Sequence, residues 1–304
     1  MRGIMGKRMR KLITVVFLLT LSLCAIKSDR VYGRELTVVY TANSTGKLRI
    51  CGCPNDPYGG LVERATLLRR LRSIEKEPFL LVDAGNMVDI FGDFESESSQ
   101  VIELMNLMGY DAAGVGCYEI FHGIDHALEM SNEASFPFLS ATITRKDETG
   151  QVFTPYVVKE AGENRVGIMS LCDAASLYRI GDPQDTEYGF LPVTAVVDQV
   201  LRELSAKVDF VIVLSQLPHD TNRELVGRYS EIDLVVEAYS NKKYDPPVTE
   251  PGGIIVSPGN KGQFVGCIVM EKDGKNTATV KDHEFLPVLN FPPDGEALAS
   301  IAEE

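Results

Sequence analysis

Short apolar runs rich in β-branched residues alternate with longer amphipathic stretches along most of the chain. The short runs are typical of strands buried on both faces, and the longer stretches are typical of helices that pack on a sheet. This alternation predicts an α/β architecture rather than separate all-α and all-β halves. With 304 residues, of which 44% are apolar, the chain is long enough for one large domain or for two small ones.

The same pattern assigns secondary structure to much of the chain after residue 33. Apolar runs predict strands at residues 36–40, 79–82, 112–115, 136–141, 156–159, 166–171, 210–214, 232–236, 254–256 and 264–270. Periodic stretches predict helices at residues 60–76, 98–108 and 193–207. The arginines of the first helix are interpreted as its solvated face: Arg64, Arg69, Arg70 and Arg72.

Small and polar residues follow several of the predicted strands. In α/β sheets, functional groups gather at the carboxyl ends of the strands. The candidate site residues therefore lie in segments 41–46, 85–86, 116–119 and 239–241 and at Gln216.

The first 33 residues have the pattern of an export signal. A basic start is followed by an apolar stretch at residues 12–26 and by Val31-Tyr32-Gly33, which offers small residues to a signal peptidase. The apolar stretch is short for a bilayer span, which needs roughly 20 residues. We therefore expect an exported protein, periplasmic or extracellular. A lipid attached at Cys24 and an uncleaved membrane anchor are the alternatives.

Export would make the chain strongly acidic. Residues 1–33 contain seven Lys or Arg and one Asp, so their removal takes the net charge from −13 to −19. Such a surface repels nucleic acid and does not steer phosphorylated substrates toward the protein. Nucleic acid is thus excluded as a partner, and membrane contact is expected only through the N-terminal segment. We expect a single domain at residues 34–290 and an acidic C-terminal tail at residues 291–304.

Seven segments, in the same order, resemble the metallophosphoesterase domain of the periplasmic 5′-nucleotidase/UDP-sugar hydrolase family, within the calcineurin-like superfamily. They lie at residues 39–46, 58–61, 83–86, 108–112, 115–119, 136–141 and 256–259, so that the resemblance covers residues 36–272. It implies a four-layer α/β/β/α sandwich of two mixed sheets flanked by helices. It also implies hydrolysis of nucleotide phosphate esters by a water that two divalent cations activate.

The residues that the resemblance aligns with the family's metal ligands are all of other types. The family's Asp-x-His falls on Asn43 and Thr45, its bridging Asp falls on Asn86, and its Asn-His pair falls on Cys117 and Tyr118. Tyr118 thus takes the place of the phosphate-contacting histidine. The later histidines fall on Gln216, Tyr239 and Asn241.

These replacements predict a degenerate two-metal site. Hard divalent ions prefer carboxylates and imidazoles, and a carboxylate is needed to offset the repulsion between two neighbouring cations. We therefore expect a non-hydrolytic protein whose cleft serves binding or cysteine-based metal or redox work. The alternative is an active phosphoesterase or nucleotidase with a rearranged set of divalent ions. The sequence identifies neither a small-molecule ligand nor a protein partner.

Four cysteines are expected near the cleft: Cys51, Cys53, Cys117 and Cys172. One interpretation is a plain disulfide, for instance from Cys51 or Cys53 to Cys117. A second is a thiolate site for zinc or copper, and a third is a redox pair. A cysteine- or selenocysteine-bearing branch of proteins that resembles this family fits either of the last two. Cys267 is interpreted as core, and the histidines are interpreted as lone surface or core residues: His122, His126, His219 and His283.

Overall fold

Two six-stranded mixed sheets lie at the centre of the molecule. The computed structural model describes residues 34–50, 57–75, 77–91, 94–146, 150–178, 188–274, 277–289 and 295–299. The residues from Arg34 onward form one compact unit. The predicted signal at 1–33, with Cys24, lies outside the described residues, as do Cys51 and Cys53.

The first sheet has the strand order β14-β13-β1-β2-β3-β4. Its strands are β1 (Arg34–Thr41), β2 (Phe79–Asp83), β3 (Ala112–Gly114), β4 (Phe138–Leu139), β13 (Phe264–Lys272) and β14 (Thr279–Pro287). Strands β1, β2, β3 and β4 run parallel to one another, whereas β13 pairs antiparallel with β1. The carboxyl ends of β1, β2 and β3 therefore meet at one edge of the sheet.

The second sheet has the strand order β11-β12-β10-β9-β7-β6. Its strands are β6 (Tyr156–Ala161), β7 (Asn164–Leu171), β9 (Phe210–Ser215), β10 (Leu234–Glu237), β11 (Val248–Glu250) and β12 (Gly253–Val256). Here β7, β9, β10 and β12 run parallel. A separate two-stranded sheet pairs β5 (Ile143–Arg145) with β8 (Tyr188–Phe190).

Helices cover the outer face of each sheet. The helices are α1 (Leu61–Ile74), α2 (Phe94–Met108), α3 (Ile124–Glu133), α4 (Ala174–Tyr178), α5 (Val193–Leu204), α6 (His219–Arg228) and α7 (Gly295–Ala299). The apolar residues of α1, α2 and α3 pack on the first sheet, and those of α5 and α6 pack on the second. In the predicted acidic tail, α7 buries Ala297 in the same core as α1.

The alternation of side chains along each strand separates the layers. In β1, Val38 and Tyr40 face the second sheet, whereas Val39 faces the helices. In β9, Ile212 faces the first sheet and Val213 faces α5 and α6. Successive side chains of a strand point to opposite faces, so strands made only of apolar residues can fill two cores at once. The result is the expected four-layer α/β/β/α sandwich.

Among the described residues, no helix has the length and apolar character needed to cross a membrane.

Candidate functional site

The loops that follow β1 and β2 lie side by side at the carboxyl edge of the first sheet. The backbone N–H of Asn43 donates to the carbonyl of Gly85 at 2.9 Å, and the N–H of Thr45 donates to the carbonyl of Asn86 at 3.0 Å. Asn43, Thr45 and Asn86 all have positive φ angles, of 52°, 51° and 57°. Asparagine adopts this left-handed conformation more readily than most residues, which suits it to two of these three positions.

Three side-chain amides meet where these loops approach the second sheet. Asn86 Nδ2 donates to Asn43 Oδ1 at 2.9 Å and to Gln216 Oε1 at 3.1 Å. We call Asn43, Asn86 and Gln216 the amide cluster. Its residues are only 3%, 4% and 2% exposed, respectively. The structure therefore brings together three of the predicted site residues and covers them almost completely.

Backbone groups fix which end of each amide faces the centre of the cluster. Asn43 Nδ2 donates to the carbonyl of Gly259 at 3.0 Å, and Gln216 Nε2 donates to the carbonyl of Ala84 at 2.7 Å. Asn86 Oδ1 accepts the N–H of Tyr118 at 3.2 Å. A backbone N–H or carbonyl has only one role, so flipping any of these amides would set donor against donor or acceptor against acceptor. The two oxygens at the centre therefore face one NH₂ group.

A buried carboxylate beneath the cluster holds the backbone of its loops. Glu119, which is fully buried, accepts the N–H groups of Gly116 at 2.7 Å, Asn86 at 3.1 Å and Met87 at 2.7 Å. Burial raises the pKa of Glu119 to about 7, and the three hydrogen bonds oppose that increase. Glu119 thus connects the ends of β2 and β3.

Asp83 supports the other side of the cluster. Its carboxylate accepts the N–H of Gly85 at 2.8 Å and the hydroxyl of Thr41 at 2.6 Å. Burial raises the pKa of Asp83, whereas the guanidinium of Arg64 lowers it. Arg64 is fully buried and donates to Tyr110 Oη at 3.2 Å. The interpretation of Arg64 as part of a solvated face was therefore wrong, because its side chain is buried and its charge partly offsets the burial of Asp83.

The described residues do not fit a two-metal centre of the family type. The two central oxygens already accept hydrogen bonds from Asn86 Nδ2, and the nearby carboxylates of Asp83 and Glu119 accept bonds from the loops. A divalent ion would have to displace an NH₂ group and would meet neutral amides only. Among the described residues, no group of three or more His, Cys, Asp or Glu is arranged to hold a metal ion.

The other predicted site residues lie outside the amide cluster. The side chains of Thr45, Tyr118 and Tyr239 are half-buried, and that of Asn241 is exposed. Tyr118 contributes its backbone N–H to Asn86, and the loop carrying Tyr239 and Asn241 reaches the cluster through the carbonyl of Ser240, 3.4 Å from Asn43 Nδ2.

Two of the predicted cysteines meet in the core. The Sγ atoms of Cys117 and Cys172 are 3.5 Å apart, and the two residues are 2% and 0% exposed. Cys117, Cys172 and Cys267 are free thiols in the structure. Cys267 lies in β13, where burial raises its pKa to about 12. Cys267 is half-buried and packs against the core of the first sheet, so the interpretation of Cys267 as a core residue holds only in part.

A second polar cluster lies at the end of β10 and was not foreseen from the sequence. Glu237, which is fully buried, accepts bonds from Tyr244 Oη at 2.6 Å and Asn222 Nδ2 at 3.1 Å and pairs with His219 Nδ1 at 2.9 Å. Its members are separated by up to 25 residues in no recognisable motif. His122 and His126 bond separately, to the carbonyl of Ile90 at 3.0 Å and to Ser98 Oγ at 3.4 Å.

Known proteins of similar sequence and structure share this fold. The 5′-nucleotidase of Bos taurus is 25% identical over 299 residues, which cover 88% of this chain and 52% of that protein. The 5′-nucleotidase precursor of Thermus thermophilus matches with a TM-score of 0.74 and 22% identity over 88% of this chain and 57% of that one. The calcineurin-like phosphoesterase YfkN of Bacillus subtilis matches with a TM-score of 0.71 and 17% identity over 88% and 96% of the two chains.

The match to the curated relatives is partial. The chain spans about half the length of the bovine protein. No protein-family model matches the chain. The chain is therefore similar in sequence to proteins of the 5′-nucleotidase family, and it shares the fold of a calcineurin-like phosphoesterase.

Proposed function

We propose that this chain is a non-hydrolytic member of its family, in which the amide cluster replaces the two-metal centre and the strand-end cleft serves binding. The observation that carries the proposal is the pair of hydrogen bonds from Asn86 Nδ2 to Asn43 Oδ1 and Gln216 Oε1. These bonds place an NH₂ group between two side-chain oxygens, at positions that the resemblance aligns with metal ligands of the family. The hydrogen bonds satisfy these groups without any ion.

Charge supports the same proposal. Two divalent ions a few ångströms apart repel one another strongly unless anionic ligands lie between them. Asn43, Asn86 and Gln216 are uncharged, and the carboxylates of Asp83 and Glu119 bond to the loops instead. A water at this place would have no Lewis acid to lower its pKa, and the hydrolytic step of the family would lack its nucleophile.

Access supports it as well. An active centre has to admit the phosphate of its substrate, but the amide cluster is at most 4% exposed. The backbone carbonyls of Ser240 and Gly259 lie over Asn43, at 3.4 and 3.0 Å from its Nδ2. We therefore assign ligand binding to the surface around the amide cluster, where the side chains of Thr45, Tyr118 and Tyr239 are half-buried.

The test combines metal analysis with turnover. The full mature chain, purified without chelators, is assayed for bound metal and for phosphate release from nucleoside monophosphates and an aryl phosphate, with Mn²⁺, Co²⁺ or Zn²⁺ added. We expect substoichiometric metal and no metal-stimulated release. Metal-dependent hydrolysis that is lost in Asn86→Leu and kept in the exposed control Asn132→Leu would favour the alternative, an active phosphoesterase with a rearranged metal set.

Binding is measured in the same preparation. Nucleoside monophosphates and inorganic phosphate serve as probes in thermal unfolding, since a ligand of the native state raises Tm by mass action. We expect any increase in Tm to be the same with and without Mn²⁺, because the proposed site uses no ion to contact the ligand.

We also propose export of the chain through residues 1–33. The basic start and the apolar stretch at 12–26 support it. The test is the mass of the mature protein recovered from the exported fraction. A chain that begins at Arg34 is the expected result. A chain that retains residues 1–33 would show an anchor, and a lipid on Cys24 would show a lipoprotein.

A further inference from the structure

We propose that Cys117 and Cys172 form a disulfide bond that links the two sheets beside the amide cluster. The two Sγ atoms are 3.5 Å apart, which is direct contact. Cys117 follows β3 in the first sheet, and Cys172 follows β7 in the second. Such a bond would join strand ends that belong to different layers of the sandwich.

The backbone around both cysteines is already fixed. The N–H and the carbonyl of Cys172 both bond to Thr142 Oγ1, at 3.0 and 2.7 Å. Cys117 lies between Gly116 and Tyr118, whose N–H groups donate to Glu119 and Asn86. A disulfide has an S–S distance of about 2.05 Å, so bond formation requires the sulfurs to approach by about 1.5 Å.

A metal site explains this pair less well. Structural zinc takes four ligands, whereas no third His, Cys, Asp or Glu joins the two thiols within the part of the chain that the structure describes. A catalytic dithiol is disfavoured too, because Cys117 and Cys172 are 2% and 0% exposed and cannot reach an external substrate. The hydrogen bond with Cys117 and burial both raise the pKa of the Cys172 thiol, which makes a stable thiolate unfavourable.

The oxidant is an external disulfide, either of low molecular weight or of a thiol oxidoreductase. One cysteine thiolate attacks it, one external thiolate leaves, and a mixed disulfide forms. The second cysteine thiolate then displaces the other external thiolate. The two cysteine sulfurs are oxidised, the external disulfide is reduced to two thiols, and these take up the two cysteine protons. Since the native pair is buried, exchange takes place while the chain folds.

The bond would fix the geometry of the amide cluster. Tyr118, next to Cys117, donates its N–H to Asn86, and Leu171, next to Cys172, accepts the N–H of Gln216 at 2.8 Å. A covalent link between Cys117 and Cys172 therefore limits the separation of Asn86 and Gln216. This inference does not depend on whether the cleft hydrolyses or binds.

The experiment is a peptide map of the full mature chain, refolded in a buffer of reduced and oxidised glutathione and digested without reduction. We expect a linked peptide pair containing Cys117 and Cys172, two hydrogens lighter than the separate peptides. The proposal would be overturned by alkylation of both cysteines as free thiols, or by a bond from either of them to Cys51 or Cys53.

Thermal unfolding gives an independent readout. The chain refolded in a reducing buffer should have a Tm several °C lower than the chain refolded with glutathione, because the link closes a loop of roughly 55 residues. The double variant Cys117→Ala/Cys172→Ala should lose this response, whereas Cys267→Ala should keep it. A response of the same size in the double variant would contradict the proposal, and the peptide map of the wild type decides the matter if the double variant does not fold.

Discussion

Asn86 Nδ2 lies 3.1 Å from Gln216 Oε1, and this hydrogen bond joins the end of β2 in the first sheet to the residue after β9 in the second. The same nitrogen donates to Asn43 Oδ1 at 2.9 Å. Both hydrogens of one NH₂ group are thus used inside the protein. The amide cluster holds the strand ends of the two sheets together. Its contribution to the free energy of unfolding can be tested by single substitutions.

Replacement of Asn86 by Asp tests the donor directly. The carboxylate would face the oxygens of Asn43 and Gln216 without a hydrogen between them, and we expect a loss of about 2–4 kcal/mol of unfolding free energy at pH 8. Burial would raise the pKa of the new carboxyl, so stability is lost as the pH rises from about 4 through the folded pKa. Chemical denaturation at pH 5 and pH 8 measures both effects.

The matched control is Asn132→Asp, at an exposed position of α3. It adds the same charge where water solvates it, and we expect a change within about 0.5 kcal/mol at both pH values. Equal stability of Asn86→Asp and Asn132→Asp at pH 8 would show that the bonds from Asn86 Nδ2 contribute little. A rise in the stability of Asn86→Asp on addition of Mn²⁺ would show that one carboxylate restores ion binding.

Gly116 tests how tightly the cluster is packed. A Cβ at this position would lie 2.7 Å from Asn86 Oδ1 and 2.7 Å from Gln216 Nε2, and both atoms are already fixed by hydrogen bonds. We expect Gly116→Ala to destabilise the fold by about 1–3 kcal/mol. Gly227→Ala, in α6 with nothing within 4 Å of its Cβ, should stabilise it by about 0.5–1 kcal/mol. Urea unfolding measures both changes in unfolding free energy. A loss for Gly116→Ala together with a gain for Gly227→Ala would distinguish the effect of close packing from that of backbone entropy.

The sequence predicted the central strands because they fill two cores at once. Val38 to Tyr40 and Val211 to Val213 are apolar at every position, and this pattern is typical of a strand that is buried on both faces. The pattern did not predict α6, in which only Asn222, Leu225 and Val226 are buried. It also failed for β14, an edge strand whose residues are mostly half-exposed or exposed. Elements with little buried apolar surface leave little periodicity in a sequence.

At the site, the order of the motifs predicted that Asn43, Asn86 and Gln216 would come together at the strand ends. It did not predict which end of each amide faces inward, since backbone groups distant in sequence decide that, such as the carbonyl of Gly259. Nor did it predict that Arg64 is buried, because a single charged residue on an amphipathic helix is more often solvated. Tertiary contacts determine both features.

Arg64 provides the third test. It is fully buried, donates to Tyr110 and lowers the pKa of Asp83, so Arg64→Met should remove the positive charge that partly offsets the burial of Asp83. We expect a loss of about 3–5 kcal/mol of unfolding free energy near neutral pH. Without the guanidinium the folded pKa of Asp83 rises further, and the loss should therefore be smaller at pH 5 than at pH 8.

The control for Arg64 is Arg70→Met, an exposed position on the same helix. The substitution and the helix are the same, but the side chain at this position is solvated. We therefore expect the free energy of unfolding to change by no more than about 0.5 kcal/mol. Differential scanning calorimetry or guanidinium titration of the two variants gives the comparison. Similar losses for Arg64→Met and Arg70→Met would refute the role assigned to Arg64 in the compensation of Asp83.

Glu119 makes the stability of the protein depend on pH in a defined direction. Its pKa is raised by burial from 4.5 to about 7, so the folded state binds more protons than the unfolded state between these values. The free energy of unfolding should therefore fall as the pH rises from 4.5 to 7, by about 3 kcal/mol from this residue, and change little above pH 8.

The Glu119→Gln variant lacks this contribution but keeps His126 and His283, whose pKa values are lowered mainly by burial. The stability difference between wild type and variant, measured by denaturation from pH 5 to pH 8, isolates Glu119. A difference that stays constant across this range would mean that the three N–H groups of Gly116, Asn86 and Met87 keep the carboxylate ionised throughout, and that hydrogen bonding outweighs burial at this position.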